Sequence, residues 1–186
     1  QELIIPFMSQ LIFETDRLTV HQYDFNTDAD NFFRINGDED VMRYIRKTKT
    51  RTECDEFLKQ IIADYETRPL MGRWGAFEKV TGNFVGSFAF IPVEGADDSQ
   101  LGYALIKEYW GKGFATELMR EGIRYVFSKT SLNEVYGITE TANTASQKVL
   151  LKAGFVLQGN YMEKEKELCK FILLRNSTQY FATTPV

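Results

Sequence analysis

The chain has 186 residues, of which 44% are apolar and 26% charged, with a formal net charge of −4. That is enough apolar chain for one folded domain, and the acidic balance argues against a nucleic-acid partner. Two distant cysteines, Cys54 and Cys169, and a single histidine, His21, leave no disulfide framework and no Cys- or His-built metal site.

Residues 1–8 are set apart as an N-terminal extension, with Met8 a candidate natural start. Residues 9–178 read as one domain and 179–186 as a C-terminal tail. The apolar stretch Leu3–Met8 is too short for a signal-peptide core and follows no basic residue. No other run approaches the ~20 apolar residues of a membrane span, so a cytoplasmic protein without a membrane partner is expected. Monomer and homodimer both remain open.

In chain order, Leu18, Val20 and Gln22 alternate with Thr19 and His21, which predicts a first strand. A short helix carrying Phe32 and Phe33 follows Asn26-Thr27-Asp28. Thr50-Arg51-Thr52-Glu53 fits a capping box and opens a helix with Cys54, Phe57, Leu58, Ile61, Ile62 and Tyr65 at helical spacing, ending before Pro69. Three strands are then predicted at 73–80, 83–91 and 101–106, the first two joined at Thr81-Gly82. Phe114, Leu118, Met119, Ile123, Val126 and Phe127 lie on one face of a further helix. A strand at 134–140 leads to a helix opened by Asn143, with Ala145, Val149 and Leu150 inward and Gly154 as its left-handed stop. Strands at 155–157 and 168–174 close the chain. This order predicts an α/β fold with a mixed, mostly antiparallel sheet of seven strands and helices on both faces.

The chemistry starts at Trp110-Gly111-Lys112-Gly113-Phe114-Ala115, between a strand and a helix. Small residues let a ligand approach the backbone, and a helix N-terminus offers free N–H groups and a positive dipole end. The pair suits a phosphate. Neither GxGxxG nor the Walker pattern is present.

A second motif, Asn143-x-x-Ser146-x-x-Val149-x-x-Lys152-x-Gly154-Phe155, follows about thirty residues later. With it, the sequence resembles the GNAT acetyltransferase superfamily, whose motif A is a Gln/Arg-x-x-Gly-x-Gly/Ala loop; here Trp110, Gly113 and Ala115 hold those positions. Residues 109–117 (YWGKGFATE), Thr15-Asp16-Arg17-Leu18 and Leu101-Gly102-Tyr103 are similar to the branch of the Rim-type ribosomal-protein N-terminal acetyltransferases.

The resemblance implies acetyl-CoA as cosubstrate, no metal, and direct acetyl transfer to an amine acceptor. It implies a splay between the fourth and fifth of the seven strands, with the backbone of Ala104, Leu105 and Ile106 bonding the pantetheine arm. Gly111, Lys112, Gly113, Phe114, Ala115 and Thr116 would hold the pyrophosphate, Asn143 would hydrogen-bond the pantetheine, and Ser146 would lie towards the sulfur or the phosphates. A backbone N–H near Leu105 or Ile106 would support the oxyanion. The Tyr that many members carry seven residues after the motif's Asn is Leu150 here, which leaves Ser146 as a substitute proton donor. Gln100 stands where related sequences often place Glu, which leaves Glu78 and Glu140 as candidate bases. Glu117 reads as structural, and His21 and the cysteines as packing. The aromatic residues Trp74, Phe84, Phe88, Phe90 and Tyr103 read as core. Phe32, Phe33 and Tyr44 are candidates for the acceptor wall.

The acceptor stays open between a protein or peptide α-amine and a small molecule such as a polyamine, amino sugar or antibiotic. A non-catalytic CoA-binding module is the alternative from another class. An α-amine of pKa about 8 costs roughly 1.4 kcal/mol to deprotonate at pH 7, and a lysine of about 10.4 roughly 4.6, which favours the α-amine where no strong base is evident.

Overall fold

The computed structural model of the chain describes residues 9–177. The extension at 1–8 and the tail at 179–186 lie outside the described residues.

Two short strands, β1 (Leu11–Glu14) and β2 (Leu18–His21), open the chain. β1 is an addition to the expected seven; its short apolar run Leu11-Ile12-Phe13 carries too little alternation to stand out. Helix α1 (Phe25–Asn36) is capped by the Asp24 carboxylate, which accepts from Asn26 N and Thr27 N. A single turn, α2 (Glu39–Met42), is capped the same way by Asp38. Helix α3 (Arg51–Thr67) carries the expected capping box, with Thr50 N donating to the Glu53 carboxylate at 2.7 Å.

The meander follows as β3 (Gly72–Glu78), β4 (Phe84–Pro92) and β5 (Ser99–Leu105). The turn before β4 uses Gly82 at φ 71°, and Val80, expected inside a strand, stands almost fully exposed. Helix α4 (Phe114–Lys129), strand β6 (Glu134–Glu140), helix α5 (Thr144–Lys152) and the hairpin β7 (Val156–Glu163) and β8 (Lys166–Leu174) complete the fold. β7 is longer than the three residues expected, because pairing with β8 carries it past an irregularity between Leu157 and Gly159. α5 stops by a Schellman pattern: Phe155 N donates to Leu150 O and Gly154 N to Leu151 O, with Gly154 at φ 95°.

The eight strands form one sheet in the order β1-β2-β3-β4-β5-β6-β8-β7. Every pairing is antiparallel except β5 with β6. That parallel pairing holds at one residue pair, Gln100 with Tyr136, and then the strands part. The expected splay is therefore present, between the fifth and sixth strands once β1 is counted.

The core lies on both faces of the sheet. On the α4 face, Trp74 stacks on Phe88 at 6.2 Å, and both Trp74 and Phe13 meet Tyr125 of α4. Gly122 of α4 sits directly over Phe88, where a Cβ would overlap the ring. On the other face, Tyr23, Phe32 and Phe57 join α1 to α3. Tyr65 of α3 ties that layer to the sheet, its hydroxyl donating to Arg73 O at 2.5 Å and accepting from Tyr23 N at 3.1 Å. Cys54 and Cys169 are buried free thiols.

Candidate functional site

The glycine loop takes the shape its composition suggested. Gly111 and Gly113 adopt φ of 72° and 82°, a left-handed region where a side chain costs strain. A Cβ on Gly111 would meet nothing within 4 Å, so the space over it is open. Gly113 is the N-cap of α4, and no side chain caps the helix. The N–H groups of the first turn are left for an outside anion.

Two residues near the start of the chain, Thr15 and Arg17, brace this loop. Thr15 Oγ1 donates to the Glu117 carboxylate at 2.5 Å, Arg17 N at 2.8 Å and Arg17 Nε at 2.6 Å. Arg17 also donates to Lys112 O at 3.2 Å and lies 3.8 Å over the Phe114 ring. Burial alone would raise the pKa of Glu117, but these bonds outweigh it and hold the carboxyl below its usual range. The reading of Glu117 as structural is met by this geometry. The Lys112 ammonium turns to the Tyr109 ring, 5.6 Å from its centroid, and is not among the residues lining the cleft.

The loop opens onto a cleft of about 890 Å³ that follows the splay. That volume suits a bound organic ligand. Ile106 N donates to Val85 O at 3.1 Å, so its N–H is already spent. By the alternation of an antiparallel ladder, Ala104 and Gly102 also bond toward β4, while the N–H and C=O groups of Tyr103 and Leu105 point into the gap beyond the Gln100–Tyr136 pairing. This corrects the expectation for Ala104, Leu105 and Ile106: of the three, Leu105 alone offers its N–H to the gap. Its carbonyl accepts from Trp110 Nε1 at 2.7 Å, which fixes the loop to the strand end.

Across the gap, Asn143 caps α5 by accepting from Ser146 N at 3.2 Å, which leaves its amide N–H group for a ligand. Ser146 lines the cleft beside Tyr103. Burial pushes the Tyr103 phenol up, while its hydrogen-bonding neighbour, the Ser146 hydroxyl, works the other way; the net direction is up. A phenol so placed is protonated at neutral pH and faces the cleft. Sequence reasoning put Tyr103 in the core; its place in the Leu101-Gly102-Tyr103 wording was the available clue. Leu150 is buried against Gly137, where a Cβ would overlap it, so it fills core. Ala145, expected inward, is exposed, because α5 turns only Leu150 fully into the core.

The other sequence-predicted residues divide. Glu140 lines the cleft, but Lys166 Nζ pairs with its carboxylate. Glu78 does not line it; at the far end of β3 its carboxylate accepts from Thr81 Oγ1 at 2.5 Å and lies 3.5 Å from the Tyr109 hydroxyl. Phe32 and Tyr44 line the cleft, Phe32 from within the core. Phe33 points the other way, into a separate shallow groove with Arg34, Gly37 and Ile106, because successive residues on a helix face different directions. His21 packs edge-on against Phe77. Among the described residues no group of His, Cys, Asp or Glu is placed to hold a metal, and no helix is long and apolar enough to cross a membrane.

Known proteins are similar to this chain in sequence or in fold. The uncharacterized N-acetyltransferase YoaA of Bacillus subtilis is 29% identical over 151 residues, covering 80% of this chain and 84% of that one. The spermidine N-acetyltransferase of Vibrio cholerae, solved with CoA and spermine, superposes with a TM-score of 0.74 at 18% identity, covering 87% of this chain and 98% of that one. An acetyl transferase of Salmonella typhimurium that modifies the N-terminal serine of ribosomal protein L7/L12 does so at 0.74 and 13%, covering 89% and 99%. The family described as acetyltransferase (GNAT) domain matches residues 17–156. An open glycine turn, an uncapped helix and a parted sheet fit the acetyl-CoA that this family uses, and the chain belongs to the GNAT acetyltransferase family.

Proposed function

We propose that the chain moves an acetyl group from acetyl-CoA to the α-amine of an acceptor that enters from the α1–α3 side, with Tyr103 and Ser146 as the proton-donating pair. One observation carries this reading: the uncapped turn at Gly113, the free edge of β5 and the half-buried Tyr103 phenol meet at one gap. In this reading the first turn of α4 grips the pyrophosphate and the Asn143 amide the pantetheine. Leu105 N–H supports the oxyanion as the amine nitrogen bonds to the acetyl carbon. When the carbon–sulfur bond breaks, Tyr103 gives its proton to the departing thiolate, and Ser146 orients the phenol. The amine's own proton leaves to water, since Glu140 is held by Lys166 and Gln100 cannot accept one. With Glu140 paired to Lys166, an α-amine is favoured over a lysine side chain by the cost of deprotonation given above. The fold serves a protein N-terminus in one neighbour and a polyamine in another, so the choice of acceptor rests on the cleft.

Thiol release from acetyl-CoA, measured with a panel of α-amines, lysine-like amines and polyamines, tests the reading. Release with α-amines, and its loss in Tyr103→Phe with acetyl-CoA affinity retained, is the expected outcome. Tight acetyl-CoA binding without release for any amine would overturn it in favour of a binding module.

A further inference from the structure

The α1–α3 side of the cleft holds two guanidinium groups that form no ion pair with a described acid. Arg46, in the segment after α2, and Arg73, on β3, both line the cleft and are half-buried. They share one ring: the guanidinium carbons lie 5.3 and 5.4 Å from the Phe57 centroid, and Lys49 Nζ lies 5.2 Å from it. Among the described residues neither arginine forms an ion pair or a side-chain hydrogen bond. Neighbouring cations behave differently. Arg43 pairs with Asp40 at 2.6 Å, and Lys107 pairs with Asp38 at 2.9 Å. Asp64, whose field reaches Arg73, is instead bonded to Gln60 Nε2 at 2.8 Å.

Holding two like charges here is costly. Burial lowers the pKa of Arg46; burial, and then the Arg46 charge, push Arg73 down to about 10. Both remain cationic at neutral pH. A half-buried charge without a counter-charge is destabilising unless a ligand brings one. The sheet leaves room for that ligand. In register, Arg73 stands opposite Ala89, and Ala89 opposite Gly102, so only a methyl group and a glycine separate the arginine from the splay. The distance across is two strand spacings, roughly 10 Å, before the arginine side chain reaches into it. That fits an anion a few bonds from the reacting nitrogen.

We propose that Arg46 and Arg73 clamp the acceptor: the amine acetylated here belongs to a small molecule that carries its own carboxylate or phosphate, and the two guanidiniums bind that group. This rests on the acetyl-transfer reading above and narrows it. Planar guanidiniums match either oxyanion in a two-point grip, and the same pair repels a polycation.

The test compares three sets of amines with acetyl-CoA. One set carries a carboxylate (glycine, glutamate), one a phosphate (phosphoethanolamine, glucosamine 6-phosphate), and one neither (amino acid amides, ethanolamine, glucosamine, spermidine). Acidic members of one set are expected to exceed their uncharged counterparts in kcat/KM by roughly 10- to 100-fold, and the set that does so identifies the anion. Arg46→Gln and Arg73→Gln are expected to raise KM for the acid by a similar factor, to leave KM for acetyl-CoA unchanged, and to narrow the gap between acid and amide. Arg73→Lys is expected to restore part of it. Preference for uncharged or cationic amines, or a gap that survives in both glutamine variants, overturns the proposal. Calorimetric titration with N-acetylated acids and inorganic phosphate separates this from the wider reading. Acids that bind wild type and not Arg73→Gln, without thiol release from any amine, would sink acetyl transfer and leave the clamp standing. Thiol release from neutral amines with no acid binding would do the reverse.

Discussion

Arg17 and Glu117 lie 100 positions apart and meet through a 2.6 Å bond from Nε to the carboxylate. The contact ties the turn between β1 and β2 to the first turn of α4, and through Lys112 O to the glycine loop itself. The loop therefore owes its shape to the start of the chain as well as to its own glycines.

Glu117→Ala removes the acceptor of three hydrogen bonds, one from the buried Thr15 hydroxyl. A loss of about 1–3 kcal/mol in urea unfolding is expected, toward the lower end because Arg17 is partly solvated. Since the folded-state pKa of Glu117 is depressed, this stability is present above the ordinary carboxylate range and is lost as pH falls through the lowered value. Wild type should therefore lose more stability on acidification than Glu117→Gln, as measured by unfolding midpoints at stepped pH.

Gly113→Ala places a Cβ at φ 82°, at a strain cost of about 1–2 kcal/mol. The nearest atom to that Cβ is an Arg17 guanidinium nitrogen at 3.6 Å, so relief of strain would disturb the brace. Acetyl-CoA affinity is expected to fall by roughly tenfold or more in calorimetry. Unchanged affinity would remove the loop from the phosphate site.

Tyr103→Phe tests the proton donor. A donor must be protonated, so wild-type kcat is expected to decline as pH rises through the raised phenol pKa. The variant is expected to lose kcat by about 100-fold or more and to lose that alkaline limb with it. Glu140→Gln, with its carboxylate already paired to Lys166, is expected to leave the shape of the profile as it was. A profile that loses its acidic limb in Glu140→Gln would make Glu140 the base after all.

Gly122→Ala probes packing away from the site. Its Cβ would overlap Phe88, which is fully buried between Trp74 and Phe13. Overpacking of this kind costs about 1–3 kcal/mol, read as a lower denaturation midpoint.

What the sequence made legible follows from which interactions are local. The Thr50–Glu53 box, the Gly154 stop and the positive-φ glycines of the loop each depend on residues within a few positions, and each stands where the residue pattern puts it. The direction of a backbone N–H depends instead on pairing with a distant strand. Ile106 is lost to Val85 and Leu105 is left free for a reason that no pattern within 101–106 contains. Phe32 and Phe33 are one residue apart and end on opposite sides of a wall. Tyr103 alternates with Leu101 and Leu105 and looks like core by that measure; it becomes a site residue because β6 parts from β5 and brings Ser146 alongside. Arg46 and Arg73 are ordinary charges in the sequence, and their isolation appears only when the cleft is assembled around Phe57.

Most sheets keep their unpaired backbone at the rim, where short strands, charges and bulges discourage a stranger from adding on. Here the same raw edge, along 103–105, runs up the middle of the sheet, with α4 packed on β5 and α5 on β6. An extended chain of atoms that carries its own amide groups finds in this interior margin a ready ladder, so the fold recruits by backbone complementarity what other sheets must repel. The danger of mispairing and the capacity for recognition have one origin, and the depth of the slot tells them apart.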